Sequence, residues 1–353
     1  MALLHNPVEE CLVGGFGGGI ISTTSKLTEK EKMPPVNDNF ANRLTLSGNA
    51  INTTGTNVDS SGEPGEPFHG GSTPDRTVWW TWTVPASGEV IIDTIGSNFD
   101  TTLGVYTGSS VNSLTTLASN DDSIDLISQV TFTATAGTTY QIAVDGFGAS
   151  QGLIGLNINL IDSVITGTSE NNTLFGTVGN DRIEGFGGND TLFGSEGVNN
   201  LRGGDGDDLI YGGSQRDTIF GGFGNDTIYA NEGNNAVFGD LGGFSGSGND
   251  IIYTGSGNDF IDGGFGSDTL FLGGGEDIVV IQFDFSGFDT INNFQLGQTT
   301  FRVGSLTSPT NTSNLTITQG ANGAEISAFG DVLAVVIGTQ ASTLTNNLSE
   351  VFV

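Results

Sequence analysis

The sequence predicts an all-β protein: an antiparallel β-sandwich over residues 36–162, followed by a coil of nine-residue repeats. Three observations carry this. Short alternating apolar runs, separated by Gly, Asn, Asp and Ser turns, fill the first segment. A period of nine fills residues 167–280. No helical window of useful length interrupts either, so half-buried strands are the economical reading.

In the sandwich, Ile154, Leu156, Ile158 and Leu160 alternate with Gly155, Asn157 and Asn159. Val130, Phe132 and Ala134 repeat the pattern, as do Tyr140, Ile142 and Val144. Trp80 and Trp82 share a face with Val78 and Val84 and belong to the core. Trp79 points the other way with Thr81 and Thr83, where it is a candidate carbohydrate-stacking aromatic. Residues 1–35, glycine-rich and ending at Pro34-Pro35, read as a flexible leader and linker. Asn120, Asp121, Asp122 and Asp125 form an acidic loop with the donors for an additional metal ion.

The repeat aligns on G-G-x-G-x-D-x-U-x, where U is a large aliphatic residue. Twelve units result, the ninth carrying six extra residues between Gly239 and Phe244. Position eight is aliphatic throughout, from Leu174 to Val279. Position six is aspartate in nine units: Asp181, Asp190, Asp208, Asp217, Asp226, Asp250, Asp259, Asp268 and Asp277. It is asparagine in the other three, Asn172, Asn199 and Asn235. Positions seven to nine therefore make a short strand with an inward aliphatic side chain, and glycines permit tight turns that expose carbonyl oxygens. Carbonyls and carboxylates are hard oxygen ligands that suit calcium, whereas zinc wants nitrogen or sulfur, and the chain has two histidines and one cysteine.

The block closely resembles the RTX, or haemolysin-type, calcium-binding repeats; GGFGNDTIY at 221–229 is essentially the consensus. That resemblance implies a parallel β-roll of two nonapeptides per turn over residues 163–280, binding several calcium ions between loops of units two apart. A β cap over 281–353 would close it. Odd units three to eleven keep Asp at position six and Gly at position four, which leads us to expect one well-filled calcium rail (Asp190, Asp208, Asp226, Asp250, Asp268) and one patchy rail. The insertion in unit nine falls on the filled rail. Residues 37–160, with VWWTWTVPASG at 78–88 and FDTTLGVYTG at 99–108, resemble bacterial pre-peptidase C-terminal domains, jelly-roll sandwiches appended to secreted proteins.

Charge narrows the function. Nine basic residues against 40 acidic ones give a net charge of −31, which disfavours nucleic acid and anionic lipid. No run of 18 apolar residues exists, and the N-terminus lacks a secretory signal. The terminal Glu350-Val351-Phe352-Val353 looks like the end of an uncleaved type I secretion signal, implying an exporter as partner and an extracellular or cell-surface destination. With Cys11 the sole cysteine, calcium would replace disulfides as the staple. HExxH is absent, and the histidines lie in the leader (His5) and in a loop (His69), which argues against an enzyme. The sequence reading is a non-enzymatic surface, matrix or adhesion component, with a carbohydrate-binding sandwich and an RTX hydrolase as alternatives.

Position nine points outward. It is aromatic in every odd unit, Phe175, Phe193, Tyr211, Tyr229, Tyr253 and Phe271, against Glu184, Arg202, Phe220, Phe238, Asp262 and Val280 in even units. If two units make a turn, the odd residues form a ladder up one sheet, a contact face for the chain's own sandwich, a second chain or a surface polysaccharide.

Overall fold

Alternation builds the sandwich. In the computed structural model, which describes residues 33–123, 126–240, 248–282, 287–303 and 315–352, a five-stranded sheet runs in the order Leu44–Leu46, Val78–Thr83, Thr139–Gly146, Thr101–Thr107, Thr115–Asn120. It faces a four-stranded sheet ordered Ala50–Thr56, Leu153–Ile161, Gly88–Asp93, Gln129–Ala134. Pairing is antiparallel except between the first two strands of the larger sheet. Val78, Trp80, Trp82, Phe132, Ile142 and Leu156 meet between the sheets, as the alternation requires. His5, Cys11 and nearly all of the leader lie outside the described residues, as do Asp125 and most of the insertion in unit nine.

Trp79 corrects the sequence reading. It is fully buried, packed edge-on by Phe40 at 5.0 Å and His69 at 5.6 Å, and its indole N–H donates to Glu66 Oε1 at 2.8 Å. The loop before the strand folds over it, so no sugar reaches the ring. His69 is the buried pin of that loop, hydrogen-bonded through Nδ1 to the Tyr106 hydroxyl at 2.6 Å; burial lowers its pKa to about 3 and keeps it neutral.

The repeats wind into a parallel β-solenoid. Even units supply the six inner strands of an eight-stranded sheet that runs from Ser163–Thr166 to Thr299–Val303; odd units supply the first six strands of a ten-stranded sheet beginning at Thr173–Phe175. Registers join each unit to the one two further on, for example Ile210↔Ile228 and Leu201↔Ile219. The position-eight residues stack as a dry spine, Ile183 through Val279 each 0 % exposed. The ladder continues past 280: Asp289–Asn292 pairs with Thr269–Phe271, and Thr299–Val303 with Asp277–Ile281. A meander of Asp331–Ile337, Gly323–Ala328 and Leu315–Gln319 then extends the odd sheet, and Leu344, Val351 and Phe352 plug the open end of the spine.

The coil packs on its sandwich through the even face, not the odd one. Ile95, Leu126 and Ile127 of the sandwich bury against Phe220, Ala236, Phe238, Phe260 and Val280. Four of the chain's six arginines line this seam: Arg182 pairs with Glu89 at 2.8 Å, Arg202 donates to Gln129 at 3.2 Å, Arg216 stands 4.0 Å from Asp93, and Arg302 donates to the Ser97 carbonyl at 3.0 Å. Asn157 and Asn159, on the strand face opposite Ile154, Leu156, Ile158 and Leu160, are buried too: Asn157 donates to Asp93 Oδ1 at 2.6 Å, and Asn159 to the Val198 carbonyl of the coil at 2.9 Å. Replacing Phe238 by Ala should therefore cost about 3 kcal/mol or more through the cavity left at the seam. Calorimetric melting in saturating calcium checks this, and an unchanged transition would mean the seam contributes nothing.

Candidate metal centre

Each turn places its position-six side chain inside the coil wall, one above the next. On the odd rail the backbone N–H of one residue donates to Oδ1 of its counterpart a turn later: Asn172 to Asp190 (2.6 Å), Asp190 to Asp208 (2.7 Å), Asp208 to Asp226 (2.7 Å), Asp226 to Asp250 (2.8 Å) and Asp250 to Asp268 (2.8 Å). The even rail repeats this from Asp181 through Asn199, Asp217, Asn235 and Asp259 to Asp277. Position five adds a parallel ladder on the odd side, Asn189, Asp207, Asn225, Asn249 and Ser267 donating in turn to the residue one turn earlier. Asp268 likewise donates to Asp289 Oδ1 at 3.2 Å, so the rail runs one aspartate beyond the repeats read from sequence.

One oxygen of each carboxylate is thereby used; the other is not. Oδ2 of Asp190, Asp208, Asp217, Asp226, Asp250, Asp259 and Asp268 is buried and has no hydrogen-bond partner. A buried, unpartnered carboxylate oxygen is strongly unfavourable unless a cation meets it. Position-one glycine makes room for one. A Cβ built on Gly185, Gly203, Gly221, Gly239 or Gly263 would collide with Oδ2 of the same unit's aspartate, and on the first four also with the position-one carbonyl a turn later. Carbonyl and carboxylate oxygens thus converge on one small space, an all-oxygen donor set that fits calcium and excludes softer metals.

The electrostatics agree. Burial, before any neighbouring charge, pushes Asp208, Asp217, Asp250 and Asp259 up to about 7 and Asp226 up to about 9; Asp190, Asp268 and Asp277 are also raised. At Asp181, Thr177 of position two in the same unit donates to Oδ2 through its backbone N–H at 2.5 Å and its hydroxyl at 3.0 Å.

The acidic loop differs from expectation in one member. Asn120 braces the loop instead, accepting from Gln129 N at 3.1 Å. Asp100, distant in sequence, joins Asp121 and Asp122 so that their carboxylate atoms lie within 4.8 Å of one another. The odd aromatic ladder is present, its adjacent rings 4.6–5.1 Å apart and within 8° of parallel. Each ring covers its neighbour's face, so the ladder offers ring edges outward.

Residues 166–201, 193–228, 212–243 and 244–279 match the family model for the RTX calcium-binding nonapeptide repeat, and residues 76–146 match that for the bacterial pre-peptidase C-terminal domain. No curated protein matches the chain. Fold and oxygen cradles define a calcium-binding β-solenoid protein. More particularly, the chain carries RTX repeats preceded by a pre-peptidase C-terminal domain. Such repeats bind several calcium ions and are typical of secreted proteins; among the described residues no helix is long and apolar enough to cross a membrane.

The raised carboxylates fix a pH dependence for the metal-free chain. Their folded pKa values exceed the unfolded value of 3.8, so the folded coil binds more protons between about pH 4 and pH 7–9 and loses stability as pH rises through that window. Melting in chelator should show more residual β-structure at pH 4.5 than at pH 8. The reverse order would contradict the burial of these carboxylates.

Proposed function

We propose that this chain is a non-enzymatic component of a cell surface or extracellular matrix, whose coil stays unfolded until extracellular calcium reaches the rails. The observation that carries this is the row of buried, unpartnered Oδ2 atoms: the metal-free coil is a state the chain cannot hold cheaply. Asp190, Asp208, Asp226, Asp250 and Asp268 are the ligands of the odd rail, with Asp217, Asp259 and the end residues Asp181 and Asp277 on the even one. Bound calcium supplies positive charge and oxygen coordination; the protein supplies the carboxylates, the turn carbonyls and the glycine cradles that bring them together.

Export by a type I exporter fits the same physics. Val351 and Phe352 are buried against the spine in the folded chain, the latter 5.7 Å from the Phe301 ring, so an exporter reading that tail meets it before folding. A carbohydrate-binding role for the sandwich loses its candidate aromatic with the burial of Trp79. The odd ladder is the face we assign to protein contact at the surface, because its rings are stacked on one another and Phe175 is 62 % exposed at its end.

Circular dichroism of the full chain should show β-structure gained cooperatively between chelator and millimolar calcium; a fully folded spectrum in chelator would overturn the proposal. Changing Asp208 and Asp226 together to Ala should weaken calcium binding by roughly tenfold or more, since charge and ligand are both removed. For the ladder, Tyr211→Ser with Tyr229→Ser should leave calcium-induced folding intact while reducing self-association in sedimentation and attachment to cells. If both are unchanged, the ladder is only structural.

A further inference from the structure

Units four and eight carry asparagine where a ligand aspartate belongs, and the structure shows what the amide does there. Asn199 Oδ1 accepts the Asp181 N–H at 3.0 Å, and Asn235 Oδ1 accepts the Asp217 N–H at 2.9 Å, as each aspartate Oδ1 does. That bond fixes the amide, since a flipped group would set its NH2 against an N–H donor. Nδ2 therefore occupies the place that Oδ2 holds in the aspartate units. A Cβ built on Gly194 meets Asn199 Nδ2 at 3.0 Å and collides with the Gly212 carbonyl, the same pair of groups, amide for carboxylate, that surrounds Gly203.

From that place the amide donates to its own turn. Asn199 Nδ2 reaches the Gly197 and Glu196 carbonyls at 3.2 and 3.3 Å; Asn235 Nδ2 reaches those of Gly233, Glu232 and Ala230 at 3.3, 3.4 and 3.5 Å. Both amides thus address positions three and four of the loop, at the long distances of a donor shared among several acceptors. Neither nitrogen is among the buried atoms without a partner, whereas the Oδ2 of Asp217, between them on the same rail, is. Position one of unit eight is Ala230, and units ten and twelve carry Thr254 and Leu272 there, where unit four keeps Gly194 and the odd rail has glycine throughout.

We infer that the Asn199 and Asn235 amides stand in for the cation, so that the turns of units four and eight close without calcium while Asp217 and Asp259 remain the ion ligands of the same rail. A neutral NH2 donor satisfies the turn carbonyls, removes a buried charge and leaves no room for an ion. This inference rests on the ligand assignment made above for the aspartates. The two rails then have different duties: the odd rail meets calcium at every unit from three to eleven, while on the even rail the protein's own donors close units four and eight.

The test is calcium stoichiometry of the full chain by native mass spectrometry and equilibrium dialysis. Asn199→Asp and Asn235→Asp should each add one bound ion. Asp208→Asn, the converse change on the odd rail, should remove one ion while the calcium-saturated chain keeps its β-sheet spectrum. An unchanged ion count in both Asn→Asp variants, or their failure to fold in saturating calcium while Asp208→Asn folds with the wild-type count, would overturn the inference. Absence of bound calcium in the wild type would instead overturn the aspartate assignment itself.

Discussion

Everything in the coil depends on one unfavourable arrangement: a file of carboxylates held in the wall of a solenoid, each with one oxygen used and the other unmet. Adjacent turns are separated by about 4.8 Å. At an effective dielectric of about 20, two ionised carboxylates at that spacing repel by roughly 3 kcal/mol, before the cost of burying either is counted. The backbone bond to Oδ1 cannot relieve this, because it satisfies geometry without supplying charge. A divalent ion does both. The binding of calcium follows from the way the turns stack.

From that constraint the division of the molecule follows. The odd rail keeps glycine at position one throughout, so its cradles are open from Gly185 to Gly263. The even rail spends its sequence on docking. Its outward positions hold Arg182, Arg202, Phe220 and Phe238, and these meet Glu89, Gln129, Ile95 and Ile127 of the sandwich. At the first turn of each rail a position-two residue donates to the position-six side chain: Thr168 gives its N–H to Asn172 Oδ1 at 2.6 Å, and Thr177 gives its N–H to Asp181 Oδ2 at 2.5 Å. Position two thus caps the first turn on each side.

Much of this was legible because nine-residue periodicity exposes each column directly. The inward spine, the aspartate column, the inequality of the two rails and the sandwich core around Trp80 and Trp82 could all be read from spacing. What escaped depended on non-local contacts. Trp79 alternates as a surface residue would, yet a loop some ten residues upstream folds over it. The odd ladder has the stronger aromatic pattern, but the even face takes the sandwich because its arginines find Glu89, Asp93, Gln129 and the Ser97 carbonyl there, and its phenylalanines find Ile95 and Ile127. Asp100 joins the acidic loop only through strand pairing, and Asp289 joins the rail past a segment where the period breaks. Position one of the even units was the one local signal passed over: Ala230, Thr254 and Leu272 stand where the odd rail has glycine throughout.

The most direct measurement is hydrogen exchange of the rail amides themselves, followed by mass spectrometry with and without calcium. The N–H groups of Asp190, Asp208, Asp226 and Asp250 each donate to the carboxylate one turn on, so they report the stacking of the turns and nothing else. The account predicts strong protection of these amides in millimolar calcium and its loss in chelator at neutral pH. Equal protection in the two conditions would show that the carboxylate file is stable without its cation, and would contradict the account at its centre.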